Sequence, residues 1–163
     1  MRWSWASIGA VVGIGAAALV GAVVLGKAVV GSNEPSSQAE YQQLVVMERD
    51  RIDFALARIG GSQSPEELVT RIDEAAAVVG AAGEEVADTN PPNELASQND
   101  GLVRTLQAFS SELEGTAATL RDPTFEDSLG GLNSLSFKQW DELNRVFAEL
   151  RSDGIEVEPL ARH

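Results

Sequence analysis

The sequence contains no cysteine and one histidine, His163. Without thiols there is no disulfide, no thiolate metal site and no thiol redox switch. Without histidine in the body of the chain, the carboxylate di-iron site of helical bundles cannot be built, because it needs two Glu-x-x-His pairs. Haem and zinc lack their usual ligands, and Ser-His-Asp or Cys-His relays lack a base. Neither a Walker loop nor a GxGxxG turn is present. A calcium loop of the EF-hand type needs Gly sixth and Glu twelfth. A loop opening at Asp100 has Thr105 and Ser111 there, and one opening at Asp127 has Leu132 and Lys138. The expectation is a chain with no cofactor or metal, and not an enzyme.

Basic side chains are also scarce, 12 against 25 acidic ones. Setting aside Arg2, Lys27 and Glu34 leaves 10 basic against 24 acidic residues, a formal charge of −14. Such a domain repels nucleic acid, whose binding rests on Lys and Arg neutralising phosphates. It gains nothing from an anionic membrane surface either. The abundant carboxylates include three adjacent pairs, Asp73-Glu74, Glu84-Glu85 and Asp141-Glu142. Neighbours on a helix point about 100° apart, so these pairs do not converge on one substrate. Solvated charge is the better account of them.

Charge is missing altogether from Ala6 to Gly26. At about 1.5 Å of rise per residue, a helix of that length matches the hydrocarbon core of a bilayer. Trp3 and Trp5 stand at one end, suited to the headgroup layer, and Lys27 marks the other. The run reads as an uncleaved transmembrane anchor over residues 1–30. A cleaved signal peptide is the competing reading, but the apolar run exceeds the roughly 7–15 residues of a signal core. The N-terminal amine and Arg2 outweigh Lys27, which predicts a cytoplasmic N-terminus and a single pass, with the domain outside the cell membrane. Gly9, Gly13, Ala17 and Gly21 fall four apart and form a small-residue ridge along the anchor. Such a ridge lets the backbone of another membrane helix approach closely.

Residues 31–36, GSNEPS, read as a linker and hinge. Residues 37–163 then read as four helices and a tail, with no convincing strand alternation between 37 and 154. The first helix opens at a Ser37/Glu40 capping box and carries Tyr41, Leu44, Val45, Ile52, Ala55, Leu56 and Ile59 at helical spacing. Glu48, Arg49, Asp50, Arg51 and Asp53 between them read as a solvated face. Gly60-Gly61 ends it.

The second helix opens at Ser64-Pro65, with Glu67 completing a capping box. Its seam is Leu68, Ile72, Ala75, Val79, Ala82 and Val86. Gly80 and Gly83 each cost about 1 kcal/mol in a helix interior, so the helix calls for a close neighbour or breaks near Gly83. After Asn90-Pro91-Pro92 a third helix, opened by Pro92, carries Leu95, Leu102, Leu106, Phe109, Leu113, Ala117 and Leu120. Asn99 falls on that seam, either bonded in the core or exposed near a frayed start. Asp122-Pro123 stops it, and the irregular stretch that follows holds Phe125, Leu129, Leu132 and Leu135 as core cover. Ser136 is expected to cap a fourth helix through Leu150, ended by Asp153-Gly154. Ile155 to Leu160 reads as an extended tail lying on the bundle.

The fold class is therefore all-α: one N-terminal transmembrane helix followed by an antiparallel four-helix bundle outside the cytoplasm. Small residues on the second helix face large ones elsewhere, namely Phe109, Phe125, Phe137, Trp140 and Phe147. That pattern means complementary packing or an apolar pocket for a lipid or quinone. Pro91-Pro92-Asn93-Glu94-Leu95, followed by Asn99-Asp100 and Leu102-Val103-Arg104-Thr105-Leu106, resembles a run in small single-pass helical envelope proteins of actinobacteria. Asn99 stands where those proteins often have histidine. The resemblance implies an accessory subunit of the kind found with the cytochrome bcc–oxidase supercomplex of the respiratory chain. It supplies no active-site residues. The function expected is a non-catalytic accessory or scaffold subunit that engages an integral membrane complex through protein–protein interaction by anchor and bundle. The alternative is a tethered bundle that binds a lipid, quinone or other apolar ligand.

Overall fold

The computed structural model describes residues 34–122 and 136–162, which belong to one compact unit. The expected anchor, with Trp3, Trp5, Gly9, Gly13, Ala17, Gly21 and Lys27, lies outside the described residues, as do Phe125, Leu129, Leu132 and Leu135. Among the described residues there are four α-helices, a single 3-10 turn and no strand. None of these helices is long and apolar enough to cross a membrane.

Helix α1 spans Gln38–Gly60. Its start is set locally. The Ser37 hydroxyl accepts from Glu40 N, and the Glu40 carboxylate accepts from Ser37 N at 2.9 Å. Just before it, Ser36 donates from N and from Oγ to Asn90 O, each at 2.8 Å. The end of the expected hinge is thus tied to the loop that follows α2.

Helix α2 spans Pro65–Ala87 and passes through both glycines without a break. Ser64 accepts from Glu67 N, but the Glu67 carboxylate bonds Gln63 N at 2.8 Å and not Ser64. The expected capping box is therefore half of one, displaced by one residue. Every seam residue of α2 from Leu68 to Val86 is buried.

Helix α3 spans Ala96–Leu120. Pro92 does not open it directly. Pro92 O accepts from Leu95 N at 2.8 Å, closing the 3-10 turn Asn93–Leu95 that leads into α3. Leu102, Leu106, Phe109, Leu113 and Ala117 face inward. The glycines of α2 meet α3. A Cβ at Gly83 would lie 3.4 Å from Leu106 Cβ, and one at Gly80 would lie 3.1 Å from Ser110 Oγ. Ser110 in turn donates to Ala76 O at 2.9 Å. The roughly 1 kcal/mol that each glycine gives up in helix propensity is offset by this close backbone approach.

Helix α4 spans Lys138–Ser152. Ser136 does not cap it, for the residue at its cap position is Phe137, which makes no side-chain cap. The cap comes from α3: the Glu112 carboxylate accepts from Lys138 N at 2.8 Å and Gln139 N at 2.9 Å. An acidic group at the positive end of a helix is favourable wherever in the chain it originates.

Cross-links give the helix directions. Ser36 before α1 meets Asn90 after α2, while Arg58 near the end of α1 pairs with Glu74 at 3.0 Å. Arg121 after α3 pairs with Asp73 near the start of α2. Glu112 late in α3 meets the start of α4, and Gln98 early in α3 donates to Asp153 after α4. Consecutive helices therefore run antiparallel. The core comprises the inward faces of all four helices together with Ile155, Val157 and Leu160 from the tail.

Candidate functional site

Helix α1 has two faces that matter. Its core face carries Tyr41, Val45, Ile52, Leu56 and Ile59, all buried. At 3.6 residues per turn, Gln43, Met47, Asp50 and Phe54 fall about half a turn away from that face. Phe54 is 70% exposed and Met47 45%, and among the described residues these are the large apolar side chains left in solvent. Gln42, Val46 and Arg51 flank them along the same side of α1. The result is a narrow apolar stripe edged by polar groups, which can bind an apolar surface but offers no converging catalytic groups. Met47 and Phe54 lie off the seam that identified the core. Their seven-residue spacing, which returns to one side of a helix, is the sequence signal that would have found them.

The charged residues of α1 are not uniformly solvated. Glu48 is 2% exposed, in contrast to the solvated role expected of it. Its carboxylate receives Arg51 Nη1 on both oxygens, at 2.8 and 2.9 Å. Burial raises the Glu48 carboxyl above its usual range, Glu85 across on α2 adds to the rise, and Arg51 opposes it. Burial likewise pushes the Tyr41 phenol up to about 12, so it remains a protonated donor. Tyr41 Oη donates to Asn99 Oδ1 at 3.0 Å, and Asn99 is buried. The seam asparagine of α3 is thus the partner of a tyrosine on α1, a polar lock of the kind that fixes helix register.

In two of the three adjacent carboxylate pairs, the members bond separate partners. Asp73 pairs with Arg121, and Glu74 with Arg58. Asp141 pairs with Arg162 at 2.6 Å, and Glu142 with Arg145 at 2.8 Å. No group of three potential metal-ligating side chains is found among the described residues. Of the large residues expected to face the small ones of α2, Phe109 packs on Phe137 and on Trp140. Phe109 lies 6.1 Å from Phe137 and 6.5 Å from Trp140 between ring centroids. These are the tilted and edge-on arrangements that aromatic rings favour.

Comparison of the chain with known protein families, with curated proteins and with solved structures gives no match.

Proposed function

We propose that this protein is a non-catalytic, membrane-anchored accessory subunit, and that its helical bundle docks on the extracytoplasmic part of a larger membrane complex. The observation that carries the reading is the stripe of Met47 and Phe54, set opposite the core face of α1. A bundle this acidic stays soluble without exposing aromatic surface, and a solvent-facing phenylalanine beside a methionine suits burial against a partner. The uncharged run from Ala6 to Gly26 supports the tether, and the ridge of Gly9, Gly13, Ala17 and Gly21 supports a helix–helix contact in the bilayer. Two weak contacts on one chain act together, because the second is effectively intramolecular once the first has formed. The resemblance of residues 91–106 to actinobacterial envelope proteins supports a respiratory supercomplex as the setting.

Pull-down of the tagged full chain in mild detergent, read by mass spectrometry, tests the reading. The expected result is an integral membrane protein recovered at fixed stoichiometry. Recovery should fall at least about tenfold with Met47→Ser/Phe54→Ser, which removes apolar area from the contact. It should also fall with Gly13→Leu/Gly21→Leu, which leaves insertion intact. Undiminished recovery with both double variants would sink the proposal. A small molecule recovered at one per chain would favour the lipid- or quinone-binding alternative.

A further inference from the structure

The segment after α4 is held in an unusual way. Gly154 turns the chain with φ of +88°, a left-handed conformation suited to glycine. Ile155, Val157 and Leu160 then point into the core, while Glu156, Glu158, Pro159 and Ala161 face out. From Glu156 to Ala161 no backbone group bonds the backbone of another described residue. Side chains of α1 and α4 hold the segment instead. Gln42 Oε1 accepts from Glu156 N at 3.1 Å, and Arg49 donates to Glu158 O at 3.2 Å and also to Pro159 O. Asn144 Oδ1 accepts from Leu160 N at 2.7 Å, and Asp53 Oδ1 accepts from Ala161 N at 2.8 Å. Gln38 donates to Gly154 O at the junction.

Side chains that grip a backbone, with apolar seats for alternate residues, are the format of extended-peptide recognition. The pattern also respects proline: at Pro159 the cleft supplies a donor for the carbonyl and asks for no N–H. We propose that the cleft between α1 and α4 is an extended-peptide site, filled here by residues 155–161 of the chain itself, and that the same segment of a second copy fills it in trans. The ligand is an extended chain with apolar residues at its first, third and sixth positions. A second copy carries that segment in matching register. Exchange needs the backbone to change course only around Gly154, the usual low-cost route to a swapped dimer.

The test uses the full chain in mild detergent with Val157→Asp/Leu160→Asp, which keeps the cleft and disables its own occupant. The probe is a fluorescent peptide of the sequence of residues 154–162, followed by anisotropy. Saturable one-to-one binding is expected, at least about tenfold tighter than to the unaltered chain, whose own segment competes by effective concentration. Adding Arg49→Ala should weaken it about tenfold or more, the scale of charge-assisted hydrogen bonds. Mixing the double variant with the unaltered chain should give a heterodimer by native mass spectrometry. Three results would overturn the inference: no peptide binding by a variant that melts cooperatively as a helical protein, indifference to Arg49→Ala, or peptide binding without the heterodimer. Should the double variant fail to fold, the milder Leu160→Ala chain decides. Peptide that raises its melting temperature supports the site, and peptide that leaves it unmoved refutes it.

Discussion

The α2–α3 contact and the seat of α1 are built from different materials. Between α2 and α3, glycine and alanine let two backbones approach until a Cβ at Gly83 would touch Leu106, and Ser110 bonds the backbone of α2 directly. Close apolar packing of this kind is unforgiving of volume change. Helix α1 also meets the bundle through apolar residues, but with a polar cross-link among them, Tyr41 on Asn99, and beside them its buried Glu48, held within α1 by Arg51, whose side chain is 47% exposed. On its other flank α1 is closed by the extended segment after Gly154, gripped by Gln42, Arg49 and Asp53. The α2–α3 contact is close and apolar, whereas the seat of α1 sets a buried hydrogen bond and a buried carboxylate among its apolar residues.

The contrast can be broken by mutation. Phe109→Ala, in the apolar core where α3 meets Phe137 and Trp140, should cost about 3–5 kcal/mol in urea unfolding, the range for deleting a buried aromatic. Gly83→Leu should cost about 1–3 kcal/mol by forcing α2 from α3. Tyr41→Phe should cost about 1–2 kcal/mol, because it leaves buried Asn99 short of a donor. A Tyr41→Phe loss equal to that of Phe109→Ala would erase the distinction between apolar packing and the polar cross-link.

Glu48 sharpens the contrast through pH. Its carboxyl is raised above the usual 4.5. Between that value and the raised one, the folded state holds a proton that the unfolded state has released, so stability falls as pH rises through the window. Glu40 and Glu67 are lowered, chiefly by backbone hydrogen bonds from Ser37 and Gln63 respectively. Their contribution is present above the usual value and lost as pH falls through the lowered ones. Glu48→Gln should therefore flatten the stability profile above pH 4.5, where the native carboxyl titrates. A steeper decline with pH in the variant would contradict the burial argument. Smallest of all, Met47→Ser/Phe54→Ser should shift stability by no more than about 0.5 kcal/mol, as expected for exposed positions.

What could be read from the sequence was whatever is decided within a few residues. Ser37 with Glu40, and Ser64 with Pro65, fix two helix starts by local chemistry, and the α2 seam follows directly from spacing. The start of α4 could not be read in this way, because its cap is a carboxylate 26 residues upstream of Lys138. Glu48 was hidden for a related reason. Helical spacing places it toward the core, but its charge assigns it to solvent, and only the packed neighbours decide between the two. The exposed stripe was half legible. Met47 and Phe54 fall outside the core rhythm, yet single exposed hydrophobes are common and gain meaning only when α1 is seen to turn them away together.

The borrowed cap on α4 has a consequence for the order of assembly. A helix of 15 residues is marginal in water on its own, and the residue at the start of α4, Phe137, makes no side-chain cap hydrogen bond. Its first donors are satisfied only once α3 is in place to present Glu112. Helix α4 is therefore expected to form after α3, as a late step that the earlier helices template. The extended segment beyond Gly154 should follow later still, since both of its walls must exist before it has anywhere to lie. An isolated peptide of residues 138–152 that proved helical in water by circular dichroism would remove the need for this sequence of events.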